Sequence, residues 1–148
     1  MIRWLTRQPK RLAREEGQAA LEFVLILPFF ILFLLLLVDF ALLGFSYVSV
    51  ANAAREGARY GAVNCGADAC TPALITDRVI ERSSGIVSDP ASVTVSWPDG
   101  TDRGDPVAIS IEQDYNFLFF PASIPVASCS EMRLEQREAG APSGGSGC

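Results

Sequence analysis

The chain has 148 residues and four cysteines but no histidine, and this limits the chemistry open to it. Without histidine there is no Ser-His-Asp or Cys-His nucleophile, no imidazole general base and no mixed cysteine–histidine metal site. Pairs of carboxylates such as Asp102 and Asp105 fall in predicted turns, where they are ordinarily solvated. The sequence has no nucleotide-binding or calcium-binding motif. We therefore expect no enzymatic activity, no bound metal and no cofactor.

The cysteines are Cys65, Cys70, Cys129 and Cys148, and disulfide formation is the chemistry that suits them. Three complete pairings are open, and the sequence does not choose among them. The short spacing favours a Cys65–Cys70 bridge that shapes a turn, while Cys148 on its tail can reach Cys129 or another chain. Zinc bound by all four thiolates is a weaker alternative, because the second pair is not spaced as a zinc knuckle.

An apolar segment near the N-terminus predicts a membrane anchor for the chain. Residues 23–38 form a run of 16 residues without a charge, and the apolar stretch around it predicts a membrane helix over about residues 21–45. A secretory signal is the alternative, but its apolar core is shorter and a small-residue cleavage site follows it closely. Pro28 lies inside the span and predicts a bend, since proline removes a helical hydrogen bond.

Charge predicts the orientation of this span. Residues 1–17 carry five basic and two acidic side chains, whereas residues 18–148 carry seven basic and 15 acidic ones. A short basic segment next to a span stays in the cytoplasm, so we expect a cytoplasmic N-terminus and an external C-terminal part, where disulfides persist. The acidic balance, without clustered positive charge, argues against a nucleic-acid partner.

Beyond the span, the pattern predicts an α+β fold with one long helix and a small head. Small residues at helical spacing extend the helix over residues 18–62, and a second helix is expected from Thr71 to about Ser83. The predicted antiparallel strands alternate apolar and polar positions and cover residues 91–97, 107–115 and 126–134. An aromatic, proline-containing crossing is expected before the third strand. The head is expected to cover residues 63–138, followed by a flexible Gly/Ser-rich tail over 139–148.

Three segments carry a resemblance to known proteins. The string GQAALEF at residues 17–23, after a basic leader, resembles the processing site of type IV prepilins and pseudopilins. The strings EFVLILP at 22–28 and NAAREGARYGA at 52–62 resemble the TadE-like family of the tight-adherence (Flp) pilus system. The resemblance covers residues 17–62 and is faint beyond them.

The resemblance implies that an aspartic-acid prepilin peptidase cleaves between Gly17 and Gln18 and removes the leader 1–17. It implies a pilin-like head and a pseudopilin or minor pilin-like role in pilus assembly and surface adhesion. The partners would be other pilin or pseudopilin subunits and the assembly machinery, at a bacterial inner membrane or within a pilus.

The resemblance implies that Glu22 and Phe23 of the motif take part in subunit assembly and set the axial register between neighbouring subunits. After cleavage Glu22 would be the fifth residue, and pairing with a neighbouring subunit's amine would offset the cost of burying its carboxylate. An interfacial Glu22 that faces lipid headgroups is the alternative. The matching alternative for the whole protein is a permanently anchored extracytoplasmic binding or assembly protein that is never polymerised.

Overall fold

The computed structural model describes residues 12–64, 71–135 and 144–148. Its helices are α1 (Leu12–Asn64) and α2 (Pro72–Arg82), and its strands are β1 (Val93–Ser96), β2 (Pro106–Asn116) and β3 (Ser123–Arg133), with a 3₁₀ turn at Pro90–Ser92. Thr71 occupies the N-cap position of α2 without a side-chain capping hydrogen bond, and proline occupies the first turn. A long apolar helix, a second helix and a three-stranded antiparallel sheet confirm the α+β fold class.

The chain divides into two compact units, with the boundary between Asp39 and Phe40. We call the second of them, from Phe40 to Cys148, the head unit. It begins inside α1 and so includes more of the helix than the head expected over residues 63–138.

The first unit consists, in its described part, of residues 12–39 of α1, most of which are apolar. Residues 17–34 are all exposed, although most of their side chains are apolar. A helix that is apolar all round its circumference needs an apolar environment on every side. Among the described residues, Gly17–Asn64 is the one helical stretch long and apolar enough to cross a membrane.

The core of the head unit is built from α1, α2 and the sheet. Small residues of α1 face larger side chains of α2 and β2, and the buried members are Val50, Ala53, Ala54, Ala58, Ala62, Ile75, Val79, Val107, Ile109 and Ile111. A β-carbon on Gly61 would lie 3.3 Å from Ile75 Cδ1 and 3.4 Å from Val107 Cγ2. The small-residue stripe of α1 therefore packs on the head unit itself.

The sheet is a simple meander in the order β1-β2-β3. Strand β1 pairs with β2 from Val93 opposite Ile111 to Ser96 opposite Ala108. Strand β3 begins at Ser123, earlier than predicted, and pairs with β2 up to Asn116. The connection expected to be a crossing is thus the tip of a long hairpin, because both strands stay extended almost to the turn.

The C-terminal residues 144–148 are attached to the sheet. Gly144 N–H donates a hydrogen bond to the Trp97 carbonyl at 2.9 Å, and Trp97 N–H donates back to the Gly144 carbonyl at 3.3 Å. Ser96 Oγ donates to the Ser146 carbonyl at 2.9 Å. These five residues of the tail expected to be flexible thus contact the sheet through a two-way backbone bridge at Gly144 and a side-chain hydrogen bond at Ser146.

Candidate processing and assembly site

The predicted processing and assembly residues lie together on the exposed part of α1. Gly17, Gln18, Glu22 and Phe23 are all exposed, and a β-carbon built on Gly17 would meet nothing within 4 Å. The Gly17–Gln18 peptide is part of the helix. A peptidase that binds its substrate in extended form would have to unwind the helix there, and glycine lowers the cost because it is about 1 kcal/mol less favourable in a helix than alanine.

Gln18 and Glu22 are joined across one helical turn. Gln18 Nε2 donates a hydrogen bond to Glu22 Oε1 at 3.3 Å, on the exposed surface of the helix. This contact links the first residue of the expected mature chain to its fifth. The partner is a neutral amide, so the hydrogen bond leaves the negative charge of the carboxylate without a counter-charge from Gln18.

Pro28 lies within α1, which continues as a helix on both sides of it. The missing proline N–H leaves one carbonyl without its usual helical donor. The bend expected at this position stays a prediction.

Asp39, a second carboxylate of the apolar segment, differs sharply from Glu22. The 17-residue spacing would allow each carboxylate to lie near one membrane interface, but Asp39 is fully buried while Glu22 is exposed. Spacing along the helix cannot distinguish the two, because burial depends on what packs around each residue.

Cys129 and Cys148 form a disulfide, with their Cα atoms 5.7 Å apart. Cys129 lies on β3 opposite Ser110, so the bond ties the end of the chain to the middle of the sheet. Cys148 therefore bonds to Cys129 of its own chain and not to another chain. The bond is also incompatible with zinc bound by all four thiolates. Cys65 and Cys70 lie outside the described residues, and their bridge stays a prediction.

An ion pair marks the outward surface of α1 in the head unit. Arg59 Nε and Nη2 donate to the two carboxylate oxygens of Glu56 at 3.1 and 3.2 Å. The hydrogen bond from Arg59 holds the pKa of Glu56 below its usual value, and the same contact raises the pKa of Arg59. Most of the Arg59 side chain is solvent-exposed.

Sequence reasoning missed two features of the head unit. Gly57 fits against Val79 with no space for a β-carbon, and the four-residue spacing from Gly57 to Gly61 is the signal that a close helix contact lies there. The attachment of Gly144 to Trp97 had no local signal, because a Gly/Ser-rich segment usually indicates a flexible linker.

Comparison with known families gives a match that lies within α1. Residues 17–59 match the family model described as TadE-like protein, which confirms the resemblance found in the motifs. The match indicates a membrane protein related to the tight-adherence pilus, and the apolar helix is compatible with a single-pass membrane protein. Comparisons with curated proteins and with solved structures gave no match.

Proposed function

We propose, from the premise that residues 17–59 are a TadE-like segment, that this chain is a pseudopilin or minor pilin-like subunit. In this proposal a prepilin peptidase cleaves it between Gly17 and Gln18, and the mature chain takes part in tight-adherence pilus assembly and surface adhesion. The role is structural and needs no catalytic residue of its own. The supporting observation is the exposed apolar helix with the processing motif at its start.

The apolar surface of α1 suits both the subunit in the membrane and the subunit after assembly into a pilus. Residues 17–34 expose apolar side chains in every direction, so they require lipid before assembly and the helices of other subunits afterwards. Lipid tails and packed helices are similarly apolar, which makes transfer between them possible without a large hydrophobic cost.

The chemistry of processing is hydrolysis of one peptide bond. Water adds across the bond between Gly17 and Gln18, which leaves a carboxylate on Gly17 and a new amine on Gln18. The basic leader stays on the cytoplasmic side in this proposal, because positive segments next to a span are retained there. The head unit is then outside the inner membrane, where the Cys129–Cys148 disulfide is stable.

Glu22 is the proposed register residue. Its contact with Gln18 involves a neutral amide, so a positively charged amine of a neighbouring subunit would be a stronger partner in an apolar setting. A charge pair of this kind is formed only when subunits stand at one axial offset. The carboxylate would thereby select that offset.

Intact-mass measurement of the membrane-purified chain tests the processing step. In cells with an active prepilin peptidase the mass is expected to fall by residues 1–17, and in cells with an inactive peptidase it should not. Gly17→Val should block the cleavage, while Ala19→Val, an equally exposed change two residues away, should leave it. Only full-length wild-type chain beside a cleaved control prepilin would contradict the proposal and favour the permanently anchored alternative.

A further inference from the structure

The β2–β3 hairpin ends in a tip without charge and with exposed large apolar side chains. No charged residue occurs in the 16 residues from Tyr115 to Ser130. We call residues 116–124 the hairpin tip. Its exposed apolar side chains are Leu118 (69%), Phe119 (42%), Phe120 (38%) and Ile124 (41%).

The tip is an ordered part of the head unit. Phe117 N–H donates to the Ala122 carbonyl at 3.1 Å and closes the turn. The Tyr115 and Phe117 rings meet edge to face, with centroids 5.4 Å apart. These contacts join the two sides of the hairpin just below its exposed apolar residues.

The tip lies against the part of α1 where the head unit begins. The Phe117 and Phe40 ring centroids are 6.4 Å apart in an edge contact. Next to them is a groove of about 490 Å³ lined by Phe40, Leu43, Gly44, Tyr47, Ile124, Pro125, Val126 and Ala127. Residues 40–54 of α1 also carry no charge. Two uncharged segments thus meet at one end of the head unit.

That end is also where the apolar helix leaves the head unit, because Phe40 directly follows Asp39 in α1. The 23 residues from Gly17 to Asp39 measure about 34 Å at ~1.5 Å per residue, which matches a hydrocarbon core of about 30 Å. The far interface of a bilayer that holds this helix would therefore lie near Phe40. This is earlier than the span end expected near residue 45, since Leu43 and Tyr47 already line a groove with β3.

We infer that the hairpin tip is a second membrane contact, which lies in the outer interface of the bilayer beside α1. The inference rests on the membrane-spanning part of the proposed function and not on processing or polymerisation. Lipid is the occupant because the tip contacts Phe40, the residue that directly follows the lipid-requiring segment of α1 in the chain. Uncharged segments rich in aromatic and large apolar side chains favour the boundary between headgroups and acyl chains.

Fluorescence quenching on the full chain in phosphatidylethanolamine–phosphatidylglycerol vesicles tests this contact. An environment-sensitive fluorescent amino acid is placed at one of three exposed positions: Leu118 in the tip, Leu74 on α2 as the matched control, or Phe33 in the apolar helix. Quenching is measured with spin-labelled lipids and with aqueous iodide. Circular dichroism of each labelled chain, compared with that of the unlabelled chain, confirms that the head unit is folded.

We expect lipid quenching and protection from iodide at Leu118 and Phe33, and the reverse at Leu74. Lipid quenching at position Phe33, together with iodide quenching at Leu118 as at Leu74, would overturn the tip contact and leave the membrane span intact. No lipid quenching at Phe33 would overturn the span and the tip contact together. Protection of Leu118 from both quenchers would show that protein covers the tip, and would overturn lipid as its occupant.

Discussion

Gly57 of α1 lies so close to Val79 of α2 that a β-carbon on the glycine would overlap Val79 Cγ2. The same β-carbon would be 3.6 Å from Ile109 Cγ2 on β2. One residue of the helix therefore touches both other layers of the head unit. The close approach depends on the absence of a side chain and not on any special backbone angle, because Gly57 is within a regular helix.

Gly57→Ala is expected to destabilise the head unit by about 1–3 kcal/mol, because adding a methyl group to a filled contact forces neighbours to move. The matched control is Gly44→Ala, also in α1, where a β-carbon meets nothing within 4 Å. That change should be neutral or stabilising by up to about 1 kcal/mol through helix propensity. Chemical unfolding of the full chain in detergent measures both. Equal effects of the two changes would contradict the packing described here.

Replacing both Cys129 and Cys148 by serine is expected to lower the free energy of unfolding by about 2–4 kcal/mol, as for a loop of this length. The bond closes a sequence separation of 19 residues. Mutation is preferable to reductant, because a reductant would also act on any bridge between Cys65 and Cys70. Hydrogen exchange at the Gly144 and Trp97 amides should become faster in the double variant. Unchanged exchange would show that the backbone bridge holds the C-terminus without the disulfide.

Glu56→Gln is expected to destabilise the chain slightly at neutral pH and not at all in strong acid. Arg59 lowers the pKa of Glu56 in the folded state. A carboxyl with a depressed folded-state pKa contributes stability above its unfolded pKa, and that contribution is lost as pH falls through the folded value. Unfolding free energies of wild type and variant at a series of pH values provide the measurement.

High salt should reduce this Glu56→Gln difference, since the ion pair is exposed to solvent. Glu112→Gln, which changes a carboxyl on the exposed side of β2, serves as the control for loss of one negative charge. A difference between wild type and Glu56→Gln that persists unchanged into acid would argue against the ion pair as its cause.

Glu22→Ala is expected to insert into the membrane normally but to join pilus-assembly complexes poorly. Insertion depends on the apolar run and not on this exposed acid. Removing one partner of a buried charge pair costs about 3–5 kcal/mol, which corresponds to incorporation weaker by at least about 100-fold. Co-purification of the variant with pilus components, normalised to its membrane content, measures the effect.

Gln18→Leu is the matched control for Glu22→Ala, because it removes the intrachain donor at the 3.3 Å contact and keeps the carboxylate. In chains that intact mass shows to be cleaved after Gly17, it should leave incorporation close to normal. Normal incorporation of Glu22→Ala would remove Glu22 from the assembly mechanism.

Local patterns in the sequence determined the elements of this protein and the position of its candidate site. The apolar run over residues 23–38, the Thr71-Pro72 start of α2 and the alternation in β2 each act within a few neighbouring residues. Helix and strand periodicity are local properties of the backbone, so they can be read without knowing the fold. The motif from Gly17 to Glu22 is equally local, and in the structure all of its residues lie within α1.

Only the tertiary structure decided which distant residues meet. The bond between Cys148 and Cys129, the attachment of Gly144 to Trp97 and the fit of Gly57 against Val79 all join residues far apart in the chain. The burial of Asp39 was likewise invisible in its spacing from Glu22. Such contacts depend on how helices and strands pack as whole bodies, and the same local pattern is compatible with many packings. Three-dimensional packing, and not periodicity, selects among them.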